Sequence, residues 1–361
     1  MKLRELLRTD LEDLEDYVPV KPLDVLAAEI GLPVERLVKL DANENLYGPH
    51  PEVLEAIRSA PFHIYPDPGQ QALREAIARF LDVEAENIVA GTGADDLLDI
   101  LIRLVMPKAI AIPTPTFGMY RFLAKISRAK PIEVPRRPNF DLDVVALKHA
   151  VQAGAGIVFL TSPNNPTGNP VNRAELEAIC ALDTLVVVDE AYIEFLDSPP
   201  DLLSLIRNGA QPNLLLMRTF SKIFGLAGLR LGYGIGHPEL VAALERVRQP
   251  FNINSIAQAG ALGALDDTEH VRRTRENNSR GLQFFAQEFR RSGLEFIPAA
   301  ANFILVRVGD GQQVFEAMQR QGVIVRPMGG YQLGEWIRIT VGKPEENGRC
   351  LDSLKRALGK S

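Results

Sequence analysis

The sequence predicts an α/β protein: a large domain with a mostly parallel, seven-stranded sheet between helices, a small α/β C-terminal domain, and an N-terminal arm. Three observations predict it. Seven short and mostly uniformly apolar runs lie between residues 87 and 235, as strands covered on both faces must be. Amphipathic helical segments separate several of these runs. Beyond residue 250 a long helical stretch leads into three more apolar runs that alternate with helices.

The elements follow in order. Residues 1–40 read as an arm with two short helical stretches around Tyr17-Val-Pro-Val-Lys-Pro22. After Asp67-Pro68-Gly69, the residues Ala72, Leu73, Ala76, Ile77, Phe80 and Leu81 fall at helical spacing. The sheet runs are Asn87–Ala90, Ala109–Ile112, Pro131–Val134, Ile157–Leu160, Leu185–Val188, Leu214–Met217 and Leu229–Ile235. A helical stretch over 256–290 opens the second region. Its apolar runs are Phe303–Val306, Val323–Val325 and Trp336–Val341, with helices at about 311–321 and 344–358. This divides the chain into an arm (1–40), a large domain (41–255) and a small domain (256–361) against which the arm packs.

Composition narrows the function. A net charge of -6 with both signs spread along the chain gives no basic stripe for a nucleic-acid backbone. Cys180 and Cys350 are too few for a disulfide framework or a zinc cluster, and no metal site is expected. The longest apolar runs fall well short of a membrane span. The opening MKLRELLRTDLEDLED is too acidic for a transit peptide and lacks the apolar core of a signal peptide, so a cytoplasmic protein is expected.

In parallel α/β sheets ligands bind beyond the carboxyl ends of the strands, and the unusual residues fall there. Asp189 and Tyr192, in Val186-Val187-Val188-Asp189-Glu190-Ala191-Tyr192, end one apolar run within reach of a common planar ligand. Lys222 follows another run, flanked by the hydroxyls of Thr219 and Ser221, with Gly225, Gly228 and Arg230 just beyond. A lysine is ordinarily a solvated surface charge. Partly desolvated and beside other cations, it has a lowered pKa and attacks carbonyls. Hydroxyls with an arginine make a phosphate site.

Gly91-Thr92-Gly93-Ala94-Asp95 ends a strand and opens a helix whose free N–H groups face an anion. It lacks the third glycine of a dinucleotide fingerprint, which weakens a dehydrogenase reading. Phe117, in Pro115-Thr116-Phe117, either stacks on a heteroaromatic ligand or belongs to the core. Ser162-Pro163-Asn164-Asn165-Pro166-Thr167-Gly168 is a rigid turn, but turn chemistry does not explain two consecutive asparagines. An amine nucleophile beside a phosphate cradle, an acid, a tyrosine, an asparagine and an aromatic lid together point to pyridoxal phosphate.

The same motifs resemble the fold-type I aminotransferases, and among them the histidinol-phosphate aminotransferase family, over essentially the whole length. The most specific are SPNNPTG (162–168), VVVDEAY (186–192) and RTFSKIFGLAGLRLGY (218–233). LDANENLYGP (40–49), YPDP (65–68) and WIRITVG (336–342) also match.

The resemblance implies that Lys222 binds the cofactor as a Schiff base and moves the proton. It implies that Asp189 pairs with the pyridine N–H⁺, and that Tyr192 and Asn165 bond the ring hydroxyl. Gly93, Ala94, Asp95, Thr219, Ser221 and Arg230 would hold the phosphate, and Phe117 would stack on the ring where relatives often have tyrosine. Tyr65 resembles a tyrosine that reaches the phosphate from a neighbouring subunit, which implies a homodimer with shared sites and an arm that packs on its partner. Arg338 and Arg326, with Tyr17, Asn45 and Asn165, would bind the substrate.

The expected reaction interconverts imidazole-acetol phosphate plus L-glutamate with L-histidinol phosphate plus 2-oxoglutarate, a step of histidine biosynthesis. An aromatic amino-acid aminotransferase or a threonine-phosphate decarboxylase would share the cofactor residues. A pyridoxal-phosphate-binding regulator fits less well, because such proteins append a DNA-binding domain and the first 40 residues here are too few and too acidic.

Overall fold

A computed structural model describes residues 6–11, 14 and 21–360. Helix α1 (Leu23–Ile30) ends at Gly31, which takes a left-handed conformation and caps it. Strand β1 (Val38–Lys39) follows, then α2 (Pro51–Arg58) and α3 (Gln71–Leu81). The large region continues β2 (Ile88–Gly91), α4 (Ala94–Val105), β3 (Ala109–Thr114), α5 (Met119–Ile126), β4 (Lys130–Pro135), α6 (Val144–Gln152) and β5 (Ala155–Thr161). It closes with α7 (Arg173–Cys180), β6 (Leu185–Asp189), α8 (Leu203–Arg207), β7 (Leu214–Thr219), β8 (Gly232–Gly236) and α9 (Pro238–Val247).

These strands form one seven-stranded sheet in the order β2-β8-β7-β6-β5-β3-β4, with β8 antiparallel to both of its neighbours. The central strands are apolar throughout because helices cover both faces. Val186 and Val188 pack into one core and Val187 into the other, the alternation that a two-sided strand requires. Strand β4 lies at the edge and carries exposed Lys130 and Pro135, residue types that discourage a further strand from adding.

The expected run Leu229–Ile235 is strand only from Gly232. Ala227–Leu229 forms a 3-10 turn, and Arg230 at φ 53° swings the chain back antiparallel to β7. Gly232 permits a close approach there: a Cβ on it would lie 2.6 Å from the backbone nitrogen of Ala94. The loop before β8 and the start of α4 are therefore pressed together.

The helical stretch over 256–290 is two helices, α10 (Ser255–Leu265) and α11 (Thr268–Arg291). Asp267 divides them, because its carboxylate accepts the His270 N–H at 2.9 Å and caps α11. Beyond lie β9 (Phe296–Ile297), β10 (Phe303–Arg307), α12 (Gly311–Gln319), β11 (Val323–Ile324), β12 (Arg326–Pro327), β13 (Trp336–Thr340) and α13 (Pro344–Ala357).

The stretch Val323–Pro327, expected as a single run over Val323–Val325, serves two sheets. Strand β11 pairs parallel with β1 near the other end of the chain, whereas β12 joins the four-stranded sheet β12-β13-β10-β9. Val38 and Leu40 thereby enter the core of the C-terminal region, beside Phe285, Ile304, Ile337 and the buried thiol Cys350. Among the described residues, no helix is long and apolar enough to cross a membrane, and no group of three or more His, Cys, Asp or Glu residues is placed to hold a metal.

Candidate active site

The parallel strands of the large sheet deliver their functional residues at one edge, and the segment after β1 closes over that edge from the C-terminal region. Lys222 stands between the buried anchors Phe220, Ile223 and Phe224, which fix the loop after β7. Its Nζ donates to the Ala42 carbonyl at 3.2 Å and lies 5.8 Å from the centre of the Tyr192 ring. Burial first, then the charges of Arg338 and Arg230, push this amine down to about 8, against the opposing pull of Glu44 and Asp189.

That shift has a direct readout. A lysine at its usual pKa is about 0.1% unprotonated at pH 7.4, whereas one near 8 is roughly one fifth free base. Trapping a small aldehyde on the protein with borohydride is expected to give a labelling rate at Lys222 that rises with pH to a midpoint near 8. A midpoint near that of surface lysines would contradict it.

Asp189 ends β6 and is buried. It accepts the Tyr120 hydroxyl on Oδ2 at 2.8 Å and the Ala191 N–H on Oδ1 at 3.1 Å. Burial pushes its carboxyl up to about 6, against the bond from Tyr120. Among the described residues this buried carboxylate has two neutral donors and no cation hydrogen-bonded to it, which suits a ligand bearing a positively charged N–H. Tyr120 is itself buried and also bonds Thr161 at 2.7 Å. Phe117 is half-buried and meets Tyr120 edge-on, with ring centres 5.6 Å apart, so its ring borders the Asp189 wall.

The two consecutive asparagines do different work. Asn164 braces the turn: Oδ1 accepts from Thr116 and Arg136, and Nδ2 donates to the Pro115 carbonyl and to Thr167. Asn165 faces the site, accepting from Arg338 Nη1 at 2.6 Å and placing Nδ2 3.5 Å from the Tyr192 hydroxyl. Tyr192 is buried, which pushes its phenol up to about 12 against the charge of Arg338 and the bond from Asn43.

An anion cradle lies at the start of α4. Gly93 caps that helix at φ 85°, and a Cβ there would come within 2.8 Å of Arg230 Nη2. Arg230 Nη1 lies 3.4 Å from Ser221 Oγ. The free N–H groups of Ala94 and Asp95, the guanidinium and the Ser221 hydroxyl thus surround one position. Thr219 supports the turn, spending its proton on the Leu231 carbonyl at 3.3 Å and accepting the Ser221 N–H at 3.0 Å. Burial raises the Asp95 carboxyl, against the charges of Arg230 and Lys222.

Arg338 is buried in β13. Besides Asn165 it reaches the Asp41 carbonyl at 2.7 Å and lies 5.3 Å from the Phe303 ring centre. Arg326 of β12 is directly opposite it in the antiparallel register. Like charges in that position repel, so the pair is suited to an anion between them.

Two residues named from the sequence, Asn45 and Tyr65, stand outside this cluster. Asn45 donates to the Ile223 carbonyl at 2.9 Å and accepts the Tyr47 N–H. Tyr65 is 81% exposed, and its ring stacks on Phe251. Tyr17 lies outside the described residues. Two members of the cluster went unnamed in the sequence reading. Asn43, two residues before Asn45 in the same motif, donates to the Tyr192 hydroxyl at 3.0 Å. Tyr120 has no motif of its own.

The family described as aminotransferase class I and II matches residues 35–354. The histidinol-phosphate aminotransferase of Akkermansia muciniphila is 44% identical over 99% of this chain and 100% of that protein. That of Symbiobacterium thermophilum is 41% identical, covering 98% and 99%. The crystal structure of histidinol-phosphate aminotransferase from Sinorhizobium meliloti in complex with pyridoxal-5'-phosphate superposes with a TM-score of 0.87, at 29% identity, over 98% of this chain and 97% of that one. The chain belongs to the aminotransferase class I and II family and, within it, to the fold-type I histidinol-phosphate aminotransferases.

Proposed function

We propose that the chain holds pyridoxal phosphate on Lys222 and transfers an amino group between histidinol phosphate and 2-oxoglutarate, giving imidazole-acetol phosphate and glutamate, reversibly. When bound, the cofactor supplies an aldehyde that condenses with amines and a pyridine ring that takes up an electron pair. The residues fit it: the buried Asp189 carboxylate takes the pyridine N–H⁺, and the cradle of Gly93, Ala94, Asp95, Ser221 and Arg230 takes the phosphate.

The remaining roles follow from position. Tyr192 accepts from two asparagines and keeps its own proton for the ring oxygen. Phe117 covers a ring face. Lys222, with its amine near 8, donates the nitrogen that anchors the cofactor. The freed Nζ would take the proton from the substrate carbon that bears the nitrogen. A base with a pKa close to working pH suits that transfer in both directions.

The observation that carries the substrate reading is the register pair Arg326 and Arg338. Two guanidinium groups side by side grip a phosphate dianion bidentately, and a carboxylate of glutamate uses the same pair in the other half-reaction. Membership among the histidinol-phosphate aminotransferases supports the choice of phosphate. Phe62, Ile64 and Tyr65 are 73%, 60% and 81% exposed. This supports the reading that the segment enters the site of a second copy and that the working unit is a homodimer.

The test is an absorbance titration of the protein carrying pyridoxal phosphate. Histidinol phosphate is expected to bleach the cofactor band and 2-oxoglutarate to restore it. Arg326→Leu should raise the half-saturating histidinol phosphate concentration by about tenfold to a hundredfold, as loss of one charged hydrogen-bonding partner does. Bleaching by phenylalanine but not by histidinol phosphate would replace this substrate with an aromatic amino acid. Carbon dioxide release from threonine phosphate would replace the transamination.

A further inference from the structure

Asn43 is 1% exposed and sits at φ 54°, a left-handed conformation that asparagine tolerates. Its N–H donates to Thr340 Oγ1 at 3.0 Å, and its carbonyl accepts from Asn302 Nδ2 at 3.0 Å. The Thr340 hydroxyl donates to Asn43 Oδ1 at 3.2 Å. This last bond decides which way the amide faces. With Oδ1 on the hydroxyl, Nδ2 is presented to the Tyr192 oxygen at 3.0 Å.

Thr340 and Arg338 are alternate residues of β13, so they project from one face. Two hydrogen-bonded chains therefore run from that face to a single phenol, one through Asn165 and one through Asn43. The Asn43 contact is the shorter, 3.0 Å against 3.5 Å. Both asparagines donate, so the phenol oxygen accepts and its proton is left to point elsewhere. Hydrogen bonds donated to an oxygen favour its charged form, which makes the remaining O–H a stronger donor.

We infer that Asn43 is a positioning residue: held by Thr340 and Asn302, it directs the Tyr192 O–H onto the ring oxygen of the cofactor and strengthens that bond. The inference rests on the proposed placement of pyridoxal phosphate against Tyr192. It makes the strand that carries Arg338 a second support of the cofactor's electronic state, through a residue that touches neither substrate nor cofactor.

The experiment is a pH titration of the absorbance band of the bound cofactor. A weaker Tyr192 donor leaves more negative charge on the ring oxygen. That charge holds the proton on the neighbouring lysine nitrogen more tightly, so the midpoint moves up. Asn43→Gly keeps the left-handed backbone without strain, and it is expected to raise the midpoint by about half a pH unit, the scale of a fraction of one neutral hydrogen bond.

Tyr192→Phe raises the midpoint further, and adding Asn43→Gly to it produces no additional shift. Thr340→Val removes the hydroxyl that orients the Asn43 amide and moves the midpoint the same way, with Asn43 intact. A wild-type midpoint in both Asn43→Gly and Thr340→Val overturns the inference, as does a shift that persists in the Tyr192→Phe background. If the wild-type chain forms no titrating band with pyridoxal phosphate, the inference falls together with the reading beneath it. A normal wild-type titration with unshifted variants overturns the inference alone.

Discussion

Replacing Lys222 with alanine is expected to lower transamination on the order of 10⁴-fold or more, because in the proposed mechanism one side chain supplies both the cofactor anchor and the acid/base group, and the second role alone is worth up to about that much. Another lysine does not take over. Lys39, which ends β1, is paired with Asp41 and Glu44, and against the opposing effect of burial those charges raise its pKa. The alanine variant loses the bond from Nζ to the Ala42 carbonyl and the contact with the Tyr192 ring, while Phe220, Ile223 and Phe224 still anchor the loop. Thermal unfolding close to wild type, with no lysine-bound cofactor band and no turnover, is the expected result. Turnover within tenfold of wild type would remove Lys222 from the centre of the reaction.

Asp189→Asn is expected to retain pyridoxal phosphate but slow turnover about 10²–10⁴-fold. Breaking a buried charge pair by removing one partner costs about 3–5 kcal/mol, and each 1.36 kcal/mol in a barrier is tenfold in rate. Asparagine keeps an oxygen for the Tyr120 hydroxyl, so that neighbour stays satisfied. Its amide does not hold the pyridine nitrogen protonated, and the ring becomes a weaker electron sink. The loss should fall on kcat rather than on the phosphate cradle, which lies at the start of α4. Single-turnover kinetics with histidinol phosphate would measure it, and a rate unchanged from wild type would exclude the proposed pairing.

Much of this organisation was legible in the sequence because the central strands are buried on both sides. Val186-Val187-Val188 and Leu214-Leu215-Leu216-Met217 carry no polar residue to obscure them. Asp189 is conspicuous for ending one of these runs, and Lys222 for following the other just after the hydroxyls of Thr219 and Ser221. What escaped the sequence depends on contacts between distant segments. Tyr120 looks like any aromatic on α5 until folding places its hydroxyl on Asp189. Asn43 gains its role only when Thr340 and Tyr192 converge on it. The double duty of Val323–Pro327 was hidden for the same reason, since half of its pairing is with Val38 and Lys39.

That last pairing has a consequence for the order of events during synthesis. All seven strands of the large sheet lie between Ile88 and Gly236, so they can pair while the C-terminal region is still unmade. Strand β1 leaves the ribosome before any of them, yet its partner β11 is among the last to appear. Among the described residues, the first strand to be translated is thus the one that waits longest for a neighbour. The stretch after it, Asp41 to Asn43, seats Arg338, Lys222 and Thr340. A nascent chain therefore holds Lys222 without its finished surroundings, and the candidate site is completed only when β1 and β11 meet.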